Sequence, residues 1–273
     1  MLKLSQICNV LQKINHCNFK YQKEGIRLYQ LELARTGKTL FQIRGYYLTS
    51  VIFIGTAIAF FTGATGPFES AEANQIWFWL SLSVACFGAL IRIITSGFAA
   101  VGTSGNSKDQ TIAAELNTTG PYSLVRNPLY VGRIVNYTGI AMLSGSWIFG
   151  VLTFLVFVLI YERISVYEEE FLREKFGDSH AKWAEQVPLL LPRLNGWVKP
   201  KYKFWVRRVI RREDKKIFWL ISAIMFYDFA RHGLDWTQLP TDLTCYYIWL
   251  VALVLELITR GLLHFSKTFD NTI

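Results

Sequence analysis

The chain has 273 residues, of which 52% are hydrophobic, 15% aromatic and only 18% charged. This balance is more apolar than that of soluble domains and favours a multi-pass membrane protein. The net charge of +9 would also suit a nucleic-acid-binding protein. Because the basic residues alternate with apolar runs instead of forming one basic domain, we expect no nucleic-acid partner.

The N-terminal segment, residues 1–44, is basic and amphipathic. It lacks the uninterrupted apolar core and small-residue cleavage site of a signal peptide. Residues 2–40 instead predict an amphipathic helix that lies on the cytoplasmic leaflet.

Six apolar runs follow and predict an all-α membrane bundle of about six spans. Four of the runs approach the roughly 20 residues that a span needs. The third and fourth are shorter, and Ser144-Gly145-Ser146 separates them, which predicts a tight helical hairpin. We expect a membrane core over 45–194, followed over 195–273 by a basic, aromatic linker and two further spans. The runs are 45–63, 76–96, 129–143, 147–161, 217–234 and 243–263.

Lysine and arginine are concentrated in alternate loops. Residues 64–75, 144–146 and 235–242 contain none, whereas the segment before residue 45 and the region 163–216 are rich in them. By the positive-inside rule, this alternation predicts that both termini face the cytoplasm. The four cysteines are scattered without metal-ligand spacing, so we expect no metal site.

A polar turn precedes the third apolar run. Asn127-Pro128 predicts a helix that begins at Pro128, because Asn is a favoured N-cap and Pro a favoured first helical residue. The positive end of that helix and the adjacent Arg126 would attract a carboxylate or phosphate. A capped helix with an arginine that reaches the interface is the structural alternative. Tyr130 is expected either to pack over a flat ligand or to be an interfacial tyrosine.

The fourth run continues as a polar helix. Its carboxylates would hold sugar hydroxyls or an ammonium group, although a solvated helix face is the alternative. Glu162 lies nearest the hydrocarbon, where ionisable groups are costly and often functional. One predicted face carries Tyr161, Ser165, Glu168 and Leu172, and an adjoining face carries Glu162 and Glu169.

Further charged residues fall in or beside the predicted spans. Arg92 is expected to face the bundle or to reach the interface, and a functional role for it stays open. The group Asp228, Arg231 and His232 predicts a structural ion pair. Residues 195–216 mix basic and aromatic side chains, which suits a surface anchor in the headgroup layer, or else recognition of an anionic lipid.

Taken in order, the motifs in residues 90–192 resemble the isoprenylcysteine carboxyl methyltransferase family and its bacterial relatives, including the phospholipid methyltransferases. The matching elements are Gly120-Pro121-Tyr122, Arg126-Asn127-Pro128, Tyr130, Gly132, Glu168-Glu169, Leu172, Phe176-Gly177, Val187-Pro188 and Pro192.

The resemblance implies an integral membrane enzyme that uses S-adenosylmethionine, bound on the cytoplasmic side, to methylate a lipid or lipidated acceptor. A lipid phosphate, a phospholipid amine and a prenylcysteine carboxylate are all compatible acceptors, and the oligomeric state stays open. Arg126, Arg133 and Glu162 are the expected catalytic residues. The implied cofactor pocket consists of Tyr122, Val125, Arg126, Asn127, Pro128, Tyr130, Glu168, Glu169 and Leu172.

Three departures from the family pattern refine this expectation. Asn127 replaces the usual His of the prenylcysteine enzymes, and His180 and Trp183 stand where tyrosines are common. The connector that begins at Gly102 is similar to bacterial lipid-directed members, in particular those that methylate a lipid A phosphate. This favours a bacterial inner membrane, with the endoplasmic reticulum as the alternative. An NADPH-dependent membrane reductase of the sterol-reductase type and a non-enzymatic membrane scaffold stay open as other functions.

Overall fold

The computed structural model describes residues 28–29, 31–103, 113–235 and 243–265. Within these ranges the regular structure is helical, apart from an isolated bridge between Thr103 and Ala113. The predicted all-α class is confirmed. Most of the expected N-terminal amphipathic helix lies outside the described residues, as does most of the connector that follows Thr103.

The helix boundaries follow the hydropathy pattern closely. Each of the six predicted apolar runs coincides with most or part of one helix, and the break at 144–146 separates two helices as expected. The described helices are α1 (Leu31–Ile43), α2 (Tyr47–Thr62), α3 (Ala71–Phe98), α4 (Pro128–Met142), α5 (Trp147–Phe176), α6 (Asp178–Gln186), α7 (Val206–Arg231) and α8 (Thr244–Phe265), with a 3₁₀ turn at Gly120–Ser123.

Three helices, α3, α5 and α8, are long and apolar enough to cross a membrane. The pair α1 and α2 meets the same test together, although the two helices are bent by 72° at a short break. The described residues therefore contain three or four candidate spans, and the number of about six stays a prediction. Helix α4 has 15 residues, which gives a length of about 22 Å, less than the roughly 30 Å hydrocarbon core.

Helices α3 and α4 form the most extensive interface between elements, and small residues allow their close approach. A Cβ atom on Gly139 would lie 2.3 Å from the backbone nitrogen of Ala85, and one on Gly132 would lie 2.8 Å from the carbonyl oxygen of Gly88. Asn136 lies between these two contact points, where its Nδ2 donates to the Ala85 carbonyl at 2.8 Å.

The ends of the helices opposite the candidate site are joined by Arg231. Its Nε donates to the carbonyl of Ala64 at 2.9 Å and its Nη2 to the carbonyl of Leu143 at 2.7 Å. Arg231 is therefore not the member of the predicted ion-pair group that pairs with Asp228, because backbone carbonyls at two loops take its donors. Asp228 instead accepts a hydrogen bond from Tyr246 of α8 at 3.1 Å and lies 4.0 Å from His232.

The predicted linker over 195–216 is shorter than expected, since α7 already begins at Val206. Trp205 donates its backbone N–H to the Gly97 carbonyl at 3.0 Å, and the buried Arg208 donates to the Ala99 carbonyl. These contacts fix the start of α7 against the end of α3. The basic residues of this region form one helix with the following apolar run, which places several of them at the site.

Candidate functional site

A polar cavity lies where the ends of α3, α4 and α7 meet the C-terminal third of α5. The 3₁₀ turn, the break between α1 and α2, and Trp183 of α6 complete its boundary. Nine of the lining side chains are ionisable acids or bases: Arg44, Arg92, Glu115, Arg126, Arg133, Glu168, Arg212, Glu213 and Lys216.

The turn before α4 is held by the loop that follows α6. The backbone N–H of Arg126 donates to the Pro188 carbonyl at 2.9 Å, and that of Arg193 donates to the Leu124 carbonyl at 3.0 Å. Helix α4 begins at Pro128 as predicted. The expected capping by the Asn127 side chain is wrong, however, because its amide donates to the Leu189 carbonyl at 3.3 Å and makes no cap hydrogen bond.

Arg126 and Glu169 are brought together, as the sequence led us to expect. Arg126 Nη1 donates to the Glu169 carboxylate, and the Nε2 atom of the buried His180 lies 3.1 Å from the same oxygen. Glu169 is therefore engaged by two neighbours and is not part of the cavity lining. The Nε atom of Arg126 is buried and finds no acceptor within the described part of the chain.

Glu168 presents its carboxylate to the cavity together with Leu172, one turn further along α5. Tyr130 is a neighbour of Glu168 and also lines the cavity. The ring of Tyr130 stacks on that of Tyr161, with centroids 4.8 Å apart. One face of Tyr130 is thus already occupied by protein. The ring lines the cavity, so packing over a ligand stays a prediction for its other face.

Arg133 lies one turn after Tyr130 on α4, between aromatic rings. Its guanidinium is 5.9 Å from the ring centroid of Tyr130 and 6.0 Å from that of Tyr161. Its Nε and Nη1 atoms are buried and have no hydrogen-bond partner among the described residues. Buried donors are normally satisfied, so unused donors on a cation facing a cavity indicate a place for an anionic ligand.

Besides Glu169, two further predicted site residues lie outside the cavity lining. Val125 is buried, with 3% of its surface exposed, and its backbone N–H donates to the Pro121 carbonyl inside the turn. Glu162 is partly buried but is one residue removed from the inward-facing Tyr161, which turns it by about 100° around the helix axis. The remaining predicted residues, Tyr122, Arg126, Asn127, Pro128, Tyr130, Arg133, Glu168 and Leu172, all line the cavity.

Helix α7 contributes a part of the site that the sequence did not predict. Glu213 accepts hydrogen bonds from Nε and Nη2 of Arg92, both at 2.9 Å, and one from Ser96 Oγ at 3.1 Å. Lys216 lies 3.5 Å from the same carboxylate. Two signals in the sequence pointed here: Arg92 needed a buried partner, and the spacing of Glu213 and Lys216 places them on one helix face.

The charges around Glu213 shift its pKa and that of Lys216. Burial alone would raise the pKa of the Glu213 carboxyl, but Arg92 and Lys216 outweigh it, so the pKa lies below its usual range. Burial, assisted by Arg92 and Arg133, lowers the pKa of the Lys216 ammonium to about 7. Lys216 is therefore only partly charged at neutral pH.

The cavity carries more positive than negative charge. Six basic side chains line it against three carboxylates, of which Glu213 is already bound to Arg92. In the described residues no group of three or more His, Cys, Asp or Glu side chains is placed to hold a metal ion. The basic side chains suit an anionic group, and the carboxylate of Glu168 suits a hydrogen-bond donor or a cationic group on a ligand.

Fold and site together define an α-helical membrane protein with a basic, partly enclosed cavity at the ends of its helices. Residues 77–179 match the model of the phospholipid methyltransferase family. This segment contains most of α3 and all of α4 and α5, and the resemblance inferred from the motifs is thereby confirmed.

Several curated proteins are similar to this chain. A nickel-cobalt-cadmium resistance protein of Alcaligenes xylosoxydans xylosoxydans is 30% identical over 43% of this chain and 54% of its own length. A protein-S-isoprenylcysteine O-methyltransferase of Schizosaccharomyces pombe is 30% identical over 41% and 48%. A phosphatidylethanolamine N-methyltransferase of Rattus norvegicus is 31% identical over 39% and 53%. The chain spans about half the length of these relatives, and no solved structure matches it.

Proposed function

We propose that the chain is a membrane methyltransferase that uses S-adenosylmethionine to methylate a lipid or a lipidated acceptor. One observation carries this proposal: the family-matched segment supplies Glu168, Arg126 and Arg133 to one cavity, where both arginines retain buried, unused donors. Two methyltransferases among the similar proteins agree with it, one acting on isoprenylcysteine and one on phosphatidylethanolamine by their names.

The residues present fit S-adenosylmethionine. A carboxylate would accept hydrogen bonds from its ammonium or ribose hydroxyls, and Glu168 is available in the cavity. A cationic donor would hold its carboxylate, and Arg126 has a buried Nε without an acceptor in the described residues. Apolar and aromatic surfaces would cover its adenine, and Tyr122, Leu172 and Trp183 offer them. We infer that these five residues hold the cofactor.

When bound, the cofactor supplies a sulfonium methyl group, whose carbon–sulfur bond breaks as an acceptor forms a new bond to the methyl carbon and the electron pair stays on sulfur. The protein then has mainly to orient the two reactants and exclude water. Arg133 lines the cavity and has buried donors without a partner in the described residues, and it would hold an oxyanion acceptor in line. An oxyanion needs no base, whereas a protonated amine would have to lose a proton, for which Glu168 is the candidate.

The same excess of positive charge would also suit the phosphates of NADPH, so cofactor binding must discriminate between the two functions. We expect S-adenosylhomocysteine to raise the unfolding temperature of the purified chain, with a dissociation constant in the micromolar range, and NADPH to leave the temperature unchanged. Stabilisation by NADPH alone would favour the reductase, and stabilisation by neither ligand would favour a scaffold.

The site itself is tested by Glu168→Gln, which keeps the shape of the side chain but removes its charge. We expect a loss of S-adenosylhomocysteine affinity of at least tenfold, about 1.4 kcal/mol. Glu170→Gln is the matched control, since Glu170 on the same helix is 40% exposed and pairs with Arg173 at the surface. Equal affinities for Glu168→Gln and the unchanged protein would refute the proposed pocket.

A further inference from the structure

We propose that helix α7 supplies an anion-binding wall to the cavity, and that a phosphate-bearing lipid headgroup bound there increases the affinity for the cationic cofactor. The wall consists of Arg212, Glu213 and Lys216, with Arg133 of α4 opposite it in the cavity lining. The increase in cofactor affinity rests on the proposed function.

The wall lies outside the segment that matches the family, which ends at residue 179. Glu213 is held by Arg92, and both partners are 5% exposed, so this pair is nearly neutral and fixed in place. Arg212 donates to the Thr103 carbonyl at 3.0 Å, and Lys216 donates to the Arg212 carbonyl. Both still add positive charge to a boundary that contains Arg133, whose buried Nε and Nη1 have no acceptor in the described structure. A phosphate accepts several such hydrogen bonds, and a phosphate monoester such as that of phosphatidic acid carries a charge between about −1.5 and −2 near neutral pH.

Charge alone couples the two ligands. S-adenosylmethionine has a net charge of about +1, because its sulfonium and ammonium groups outnumber its one carboxylate. Glu169 offsets the charge of Arg126, and Glu213 offsets that of Arg92. The remaining basic side chains of the lining still outnumber its remaining carboxylates, so a cationic ligand is disfavoured until an anion joins it. A bound phosphate offsets this repulsion, and by thermodynamic linkage each ligand raises the affinity for the other by the same factor.

The lowered pKa of Lys216 agrees with an excess of positive charge around the cavity. Burial and the neighbouring cations Arg92 and Arg133 lower it to about 7, despite the nearby Glu213. A phosphate beside Lys216 would favour the protonated ammonium of Lys216. The restored positive charge would in turn strengthen the binding of the phosphate.

The test compares two unreactive ligands of different charge. Sinefungin carries an amine in place of the sulfonium methyl and has a net charge of about +1, whereas S-adenosylhomocysteine has a net charge near zero. The full chain is placed in phosphatidylcholine nanodiscs with and without phosphatidic acid, and both dissociation constants are measured by calorimetry. We expect phosphatidic acid to tighten sinefungin binding about fivefold or more, within the usual range of coupling between sites, and S-adenosylhomocysteine binding less than twofold.

Sinefungin is also attracted to an anionic bilayer as a whole, and Lys216→Gln does not change that attraction. The variant therefore distinguishes coupling at the site from attraction to the bilayer. The variant should lose most of the coupling, while Lys199→Gln, which changes an exposed lysine outside the cavity, should keep it. Full coupling in Lys216→Gln, or equal sinefungin affinity in both nanodiscs, would overturn the inference.

Two further outcomes identify the source of the anion and the origin of a failure. Coupling by inorganic phosphate in phosphatidylcholine nanodiscs would keep the anion-binding wall but reject a lipid as the source of the phosphate. Absence of binding by either nucleoside in every nanodisc would reject the proposed cofactor, a result distinct from binding that is insensitive to phosphate.

Discussion

Glu213 is one of the residues that join α7 to α3. It binds Arg92 through two hydrogen bonds, and the pair is almost fully buried. Taking away one member of such a pair leaves an uncompensated buried charge, whereas replacing both with apolar residues of similar volume is often neutral or better.

We therefore expect Glu213→Ala to lower the free energy of unfolding by about 3–5 kcal/mol. The double variant Arg92→Met, Glu213→Leu should recover most of that loss. Glu174→Ala, at an exposed position on α5, is the control and should change stability little. Thermal or denaturant unfolding in detergent would measure all three, and a double variant no more stable than Glu213→Ala would argue against an uncompensated charge as the cause.

Lys216 gives the site a pH dependence. Its pKa of about 7 means that the ammonium is charged below pH 7 and neutral above it, in surroundings formed by Arg92, Arg133 and Glu213. We expect phosphatidic acid to couple to sinefungin more strongly at pH 6.5 than at pH 8.5. Lys216→Arg should retain the coupling at pH 8.5, because a guanidinium stays protonated there. Identical pH profiles for the two proteins would show that another group controls the change.

At the scale of the helices, the close approach of α3 and α4 is the feature most sensitive to substitution. A Cβ on Gly139 would meet the backbone of Ala85 at 2.3 Å, and backbone cannot move aside as a side chain can. Gly139→Ala should therefore lower the unfolding temperature, although alanine is the better helix former. Gly261→Ala on α8, where nothing lies within 4 Å, should leave it unchanged or raise it. Equal effects at both positions would mean that the two helices can separate without cost.

Features caused by residues close together in the sequence were predictable, whereas features caused by contacts between distant residues were not. The apolar runs and Pro128 act within their own segments, so six helices and the start of α4 followed from hydropathy and dihedral preference. The amide of Asn127 and the donors of Arg231 are used by distant carbonyls at Leu189, Ala64 and Leu143, which no local pattern reveals.

Helix α7 shows the same limit for the site. Its first turns are rich in Lys and Arg and were interpreted as a surface linker, because composition alone does not distinguish a solvated helix face from one that lines a cavity. Arg92 was recognised as costly inside a span, but its partner Glu213 lies 121 residues further along the chain. Most of the lining contributed by α4, α5 and the turn before α4 was therefore predictable, and the part contributed by α7 was not.

At the scale of the whole molecule, charge distribution predicts that the cavity opens to the cytoplasm. In a variant without its native cysteines, Asn195→Cys should then react with a membrane-impermeant maleimide only from the cytoplasmic side. Thr65→Cys, in the loop between α2 and α3 and like Asn195 exposed, should react only from the other side. Labelling of both positions from the same side would reject this topology and the predicted orientation of the site.

Helix α7 is fixed near both ends: Arg208 donates to the Ala99 carbonyl, and Arg231 to the carbonyls of Ala64 and Leu143. A helix attached in this way resists swinging outward, so exchange of a water-soluble molecule requires another moving part. The cavity boundary also includes the partly exposed Glu115, which pairs with the exposed Lys201 and the partly buried Tyr202. Exposed ion pairs separate readily. Small water-soluble molecules should therefore enter and leave the cavity beside Glu115, without movement of the membrane helices.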